Sequence, residues 1–280
     1  LYIQVAYADL GCEGFSGISA HRITPQVKIR AGVDEFERAG RSVQGTGGRD
    51  RQFLRGNWCG HPMRDRNIQG KEMKTIVLAS QKGGAGKTTL SGHLAVQAEL
   101  SGNGPVVLLD TDPQGSLADW WNARAGATPA FAQADVANLR QQLKDLDKSG
   151  YRFAVVDTPP AISETIQSVI RCADLVVIPT RPSPHDLRAV GKTVLMCEAA
   201  GMRPFFVVNG AAQRARITAE AAIALSEFGT VCPVVIYQRT DFASSMTDGR
   251  TAQEFDAESR SAQEIKCLWE YLVGQLRKGK

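Results

Sequence analysis

At 280 residues, with 43% hydrophobic and 22% charged residues, the chain has the length for one large domain or two small ones and the balance of a globular protein. It offers no run of about 18 apolar residues to span a membrane. Its start, Leu1-Tyr2-Ile3-Gln4, lacks the basic-then-apolar plan of a secretory signal, and six scattered cysteines without a CxxC pair suggest neither a zinc site nor a disulfide frame. The net charge of +4 is unevenly spread: residues 1–72 hold 11 Lys+Arg against 8 Asp+Glu, leaving 22 against 21 for the remainder. Any attraction of that remainder to nucleic acid must come from a local patch.

Residues 1–72 are interrupted by 11 glycines, as in Gly45-Thr46-Gly47-Gly48, and neither helical nor strand periodicity persists there. The segment reads as a largely disordered arm or as an extension upstream of the true start. Met73 stands one residue before the first strand, and Gln69-Gly70-Lys71-Glu72 has purine-rich codons like those of a ribosome-binding site. The expected domain is therefore 73–280, preceded by a non-native or disordered 1–72.

From Met73 onwards β and α patterns alternate. Thr75–Ser80 reads as a strand, Lys87–Ser101 as a helix, and Val106–Leu109 as a short, wholly apolar strand of the kind buried in a parallel sheet. A helix is expected over Asp135–Leu146. Strands follow at Phe153–Val156, Leu175–Ile178, Phe205–Val208 and Val234–Ile236, with helices at Asp186–Ala199 and Thr218–Phe228. Such alternation predicts an α/β fold, a doubly wound, mostly parallel sheet with helices on both faces. The last helix, Ser261–Leu276, carries Ile265, Leu268, Trp269, Leu272, Val273 and Leu276 on one side. That stripe suits a terminal helix packed on the core, or a helix lying on a membrane surface.

Three stretches carry chemistry. Gln81-Lys82-Gly83-Gly84-Ala85-Gly86-Lys87-Thr88-Thr89 sits between the first strand and the first helix, the context a phosphate-binding loop requires. Glycines let the backbone aim N–H groups at phosphate oxygens, and the helix start adds its positive end. Residues Gly83 to Thr89 would cradle the phosphates, Lys87 would reach the β- and γ-phosphates, and the Thr88 hydroxyl would ligate Mg²⁺. Asp110-Thr111-Asp112-Pro113-Gln114-Gly115 follows the second strand, and Asp157 in Val156-Asp157-Thr158-Pro159-Pro160 ends another. Carboxylates at the carboxyl ends of parallel strands fall beside such a loop.

With Lys82 opening the loop, KGGxGKT[ST] resembles the signature of the deviant Walker A ATPases, the ParA/MinD family, and within it the small plasmid-partition type. The resemblance runs from about Met73 to the C-terminus. It implies an ATPase using ATP and Mg²⁺. Lys82 would cross to the partner's nucleotide in an ATP sandwich dimer, Asp112 would position the attacking water, and Asp110 and Asp157 would serve the Mg²⁺ shell. Asn209, at the end of Phe205–Val208, would read the adenine edge. It further implies a cytoplasmic, nucleoid-associated protein that binds DNA without sequence preference through basic residues of its C-terminal half. Arg214, Arg216, Arg239, Arg250, Arg260, Arg277 and Lys278 are the candidates. A centromere-binding or cargo adaptor protein would stimulate hydrolysis. The alternatives are a MinD-like membrane-associated ATPase, resting on the terminal helix, and an iron-sulfur relative, which would need two central cysteines where Cys172 stands alone.

Overall fold

The computed structural model describes residues 29–30, 72–161 and 163–278. Apart from Glu72 and the two-residue strand Ile29–Arg30 (β1), the expectations for residues 1–72 lie outside the described residues. In chain order there follow Lys74–Leu78 (β2), Lys87–Leu100 (α1), Val106–Asp110 (β3), Ser116–Asn122 (α2), Ala130–Gln133 (β4) and Leu139–Lys148 (α3). Phe153–Asp157 (β5), Glu164–Ile170 (α4), Leu175–Thr180 (β6), Pro184–Ala199 (α5), Pro204–Ala211 (β7) and Arg216–Ser226 (α6) continue the alternation. Thr230–Val231 (β8), Ile236–Tyr237 (β9), Thr240–Met246 (α7), Ala252–Phe255 (α8) and Arg260–Lys278 (α9) complete it.

The central sheet runs β3-β5-β2-β6-β7, all parallel. β4 lies parallel on β3, β8 and β9 lie parallel on β7, and β1 is antiparallel to the start of β3. This is the doubly wound α/β sheet expected of the alternating pattern. β2 and β3 are consecutive in sequence, yet β5 lies between them. That arrangement opens a crevice at the carboxyl ends, where ligands of open α/β sheets bind. The register aligns Leu78, the last residue of β2, with Asp157, the last residue of β5. The loop leaving β2 thus starts beside a carboxylate.

Side-chain alternation divides the core. Ile76, Leu78, Leu108, Phe153, Val155, Val177 and Val207 face α1, α2 and α9 on one side of the sheet. Val77, Val107, Leu109, Ala154, Val156, Val176 and Val208 face α3 to α6 on the other. Ile265, Leu268, Trp269 and Leu272 of α9 are fully buried, with Trp269 set edge-on to Phe153 at 5.4 Å between ring centroids. The terminal stripe therefore belongs to the core.

Some boundaries differ from expectation. The helix expected from Asp135 opens as a 3₁₀ turn over Val136–Asn138, and α3 begins at Leu139. The Asp135 carboxylate accepts the amides of that turn at Asn138, drawing the chain into the tighter form first. The last expected strand shifts from Val234–Ile236 to Ile236–Tyr237. Among the described cysteines, Cys172, Cys197 and Cys232 are free thiols.

Candidate functional site

The loop between β2 and α1 is built by local bonds. Ala79 N–H donates to Val177 O at 3.0 Å, Gln81 N–H to the buried Thr193 hydroxyl of α5 at 3.2 Å, and Lys82 N–H to Ser80 Oγ at 3.3 Å. Gly86, at φ 98°, is the N-cap of α1. Any side chain there would be strained, and a Cβ would stand 2.2 Å from Asn209 Nδ2. Asn209 reaches from β7 to donate to Ala85 O at 2.6 Å, pinning the loop from the far side. No side chain caps the start of α1 and no acid lies in its first turn. The amides and positive end of this helix are thus left for an outside anion.

The acids gather beneath the loop. Asp157, buried, accepts the Thr88 hydroxyl at 2.6 Å and the Ser91 hydroxyl at 3.3 Å. Burial pushes its pKa up to about 7, aided by the charge of Asp110 and opposed by the Thr88 bond and by Lys87. Asp110, also buried, accepts the Asp112 amide at 2.9 Å and the Ala118 amide at 3.2 Å, and burial raises its pKa as well. Asp112 is half-buried and accepts the Gln114 amide at 2.9 Å. Thr111 ties this loop to β5, donating from its hydroxyl and its amide to Asp157 O at 2.7 and 3.1 Å. Lys87 is buried among them; burial lowers its pKa, and the charges of Asp157 and Asp112 oppose that fall. Lys82 differs: it is exposed and has no ion pair among the described residues.

Lys87, Thr88, Asp110, Asp112, Asp157 and Asn209 therefore meet at one place, although they come from four strand ends. A cage of three or more His, Cys, Asp or Glu does not occur among the described residues. The donors present are a hydroxyl and buried carboxylates, a set suited to Mg²⁺ held mainly by phosphates and water. Ser91 and Thr193 escape sequence reading, though Ser91 lies three residues past Thr88 on the same helix face. The basic candidates scatter. Arg239 pairs with Glu264, Arg250 with Asp248 and Arg216 with Glu220, while Arg214 is exposed without an ion pair among the described residues.

Comparison with known proteins fits this geometry. The family model for VirC1 protein matches residues 73–243. The chain is 33% identical over 199 residues to maintenance of carboxysome distribution protein A of Halothiobacillus neapolitanus, covering 67% of this chain and 90% of that protein. It is 38% identical over 117 residues to protein ParA of Rhizobium radiobacter, covering 41% of this chain and 51% of that one. Among solved structures, a plasmid partition protein of Borrelia burgdorferi bound to AMPPNP superposes with a TM-score of 0.60 at 18% identity, over 74% of this chain and 100% of that one. The MinC:MinD complex of Aquifex aeolicus gives 0.62 at 19% identity, over 72% and 96%. The chain belongs to the VirC1 family, within the ParA/MinD-type P-loop ATPases of partition and positioning.

Proposed function

We propose that the chain is an ATP-hydrolysing switch that positions cargo on DNA, with residues 73–280 as its ATPase domain. The observation that carries the reading is the contrast between two lysines of one loop. Lys87 is buried against Asp157 and Asp112, whereas Lys82 is exposed and unpaired among the described residues. A lysine serving its own phosphates belongs in the first environment. One that serves a second subunit's nucleotide belongs in the second.

Each residue has a role in this reading. The amides from Gly83 to Thr89 hold the phosphates, with Lys87 on the β- and γ-oxygens. Thr88, Asp110 and Asp157 hold Mg²⁺, either directly or through water. Mg²⁺ supplies neutralisation of the charge that develops on the transferred phosphoryl group. Asp112 orients the attacking water, and Asn209 stands beside the loop where a base edge is read. Lys82 adds positive charge to the partner's phosphates when two ATP-bound copies meet. Catalysis is then positioning and electrostatic stabilisation of a loose transition state. The ATP-bound dimer binds duplex DNA without sequence preference, and a partner protein stimulates hydrolysis and release. The cargo is a partition complex or a comparable assembly, as the names of the similar proteins suggest.

The test is fluorescence anisotropy with unrelated duplexes in ATP and in ADP over a range of salt. ATP-bound protein should bind all sequences alike, with a log–log salt slope steepening by about 0.9 per phosphate neutralised. Arg214→Glu with Arg216→Glu should weaken binding on every duplex and leave DNA-free hydrolysis intact. Equal binding in the two nucleotides would refute the link between dimer and DNA.

A further inference from the structure

Helix α2 follows the Asp110–Gly115 loop directly and is only seven residues long. A helix of two turns, about 10 Å, has little stability or orientation of its own. Its first turn is bonded to the loop, because the Asp110 carboxylate accepts both the Asp112 and the Ala118 amides. The two bonds from Thr111 fix the start of the loop on β5, and what holds the far end of α2 sets its other end.

The far end is held on one side by Thr128 and Pro129, to which Arg124 and Trp121 donate, and on the other by the segment 249–254. Arg124, just past α2 and buried, uses all five of its N–H groups. Nε and Nη2 donate to Thr128 O at 3.2 and 2.7 Å, and Nη1 donates to Gly249 O at 2.6 Å. Nη1 and Nη2 also donate to the two oxygens of Glu254 at 2.9 and 2.6 Å. Glu254 is fixed in turn by the amide and hydroxyl of Thr251, at 2.9 and 3.0 Å. Trp120 Nε1–H donates to Arg250 O at 3.0 Å, and a Cβ on Gly249 would fall 2.4 Å from Arg124 N, so the two backbones touch.

The same segment grips the helix that starts at the phosphate loop. The Ala252 amide donates to His93 Nε2 at 3.1 Å, and the Gln253 side-chain amide donates to His93 O at 2.9 Å. Trp120 also packs on Gly92 of α1, where a Cβ would stand 3.1 Å from the indole ring. The phosphate-loop helix and the Asp112 helix therefore pack on each other directly and share the segment 249–254 as a support.

We infer that Arg124 and Glu254 are positioning residues for ATP hydrolysis, which act through α2 to set the Asp112 loop against the phosphate loop. The inference rests on the reading of Lys87 and Asp112 given above. The bonds of Arg124 and Glu254 run to Thr128, Gly249 and Thr251 and to each other, away from the phosphate loop, so their loss should spare nucleotide binding and impair the chemical step. A displacement of about 1 Å at a reacting group can cost on the order of 100-fold in rate.

The experiment is single-turnover hydrolysis by the full chain in excess over ATP, beside the Kd of a fluorescent ATP analogue. The variants are Glu254→Gln, Arg124→Lys and the double variant Arg124→Met with Glu254→Met. The double variant removes both charges together and leaves no lone buried ion. Turnover should fall by about 10- to 100-fold in the double variant with Kd changed by less than about threefold, and Arg124→Lys should recover part of the rate. Should the double variant fail to fold, Trp120→Phe decides: it removes the bond to Arg250 O together with the outer indole ring that meets Gly92, and a several-fold slower step is expected. Wild-type turnover in the folded variant that is read, or rate and affinity falling in equal proportion, overturns the inference. No hydrolysis by the unaltered chain would overturn the ATPase reading and this inference together.

Discussion

His93 provides a quantitative test of how α1 is seated. It is fully buried in α1, with Nδ1–H donating to Thr89 O at 2.8 Å and Nε2 accepting the Ala252 amide at 3.1 Å. A ring bonded in this way is neutral, because a proton on Nε2 would face another donor. Burial lowers its pKa from 6.5 to about 4; the Thr89 carbonyl and Glu254 pull it upward, and Arg124 pulls it down. Since the unfolded chain binds this proton more readily, it takes it up first as pH falls. The stabilisation is complete above about pH 6.5 and lost progressively down to about pH 4. At about 1.4 kcal/mol per pH unit, the full span comes to about 3 kcal/mol, of which about 2 is gone by pH 5. Carboxylates titrate in the same range, so the quantity to follow is the difference between the wild-type chain and His93→Gln, which carries no titrating ring. Urea unfolding of both at constant ionic strength should show the wild-type advantage shrinking by about 2 kcal/mol between pH 7 and pH 5. A difference that stays constant across that range would refute the argument from burial and the neutral tautomer.

Lys87→Ala should abolish ATP binding, whereas Asp112→Ala should keep ATP and lose turnover; equilibrium binding beside single-turnover hydrolysis separates them, and equal loss of binding in both would contradict the division of roles. Lys82→Ala should retain binding by the monomer and lose ATP-dependent dimerisation, read by light scattering with a non-hydrolysable analogue. Gly86→Ala would place a methyl group 2.2 Å from Asn209 Nδ2 at a φ of 98°. It should lose nucleotide binding and lower the melting temperature, the strained backbone alone costing about 1–2 kcal/mol; an unchanged melting curve would refute the clash.

The phosphate loop and its three acids are legible in the sequence because each is a contiguous string at the end of an apolar strand. Strands β2, β3, β5, β6 and β7 are legible because sheets buried on both faces demand unbroken apolar runs. Their shorter neighbours β4 and β8 are not, and β9 is legible only as a shifted strand: these have two to four residues and sit at the margins, where pairing and not composition makes the strand. α2 escapes because Ser116–Asn122 is too short to show helical periodicity. The support under α2 escapes for another reason. Arg124 and Glu254 are 130 residues apart, and nothing in either neighbourhood names the other. Only the capping-box spacing Thr251-x-x-Glu254 is visible locally, and it announces a helix start, not a clamp.

The terminal helix is where the pattern alone admitted two functions and packing distinguishes them. An apolar stripe followed by Arg277 and Lys278 satisfies the description of a membrane-surface helix and of a core helix equally. In α9 that stripe is already occupied: Ile265, Leu268, Trp269 and Leu272 lie under the same face of the sheet as Leu90 and Leu94 of the phosphate-loop helix. Each such side chain contributes about 1.5–3 kcal/mol by its burial. Moving these four to a lipid surface would keep their own apolar area out of water but uncover the core face they now cover, Phe153, Leu90 and Leu94 included. It would also strip one wall from the helix that carries Lys87. A membrane role through this face is therefore opposed to nucleotide binding. Lys82 and Arg214 are exposed past the carboxyl ends of β2 and β7, on the edge of the sheet that carries the phosphate loop.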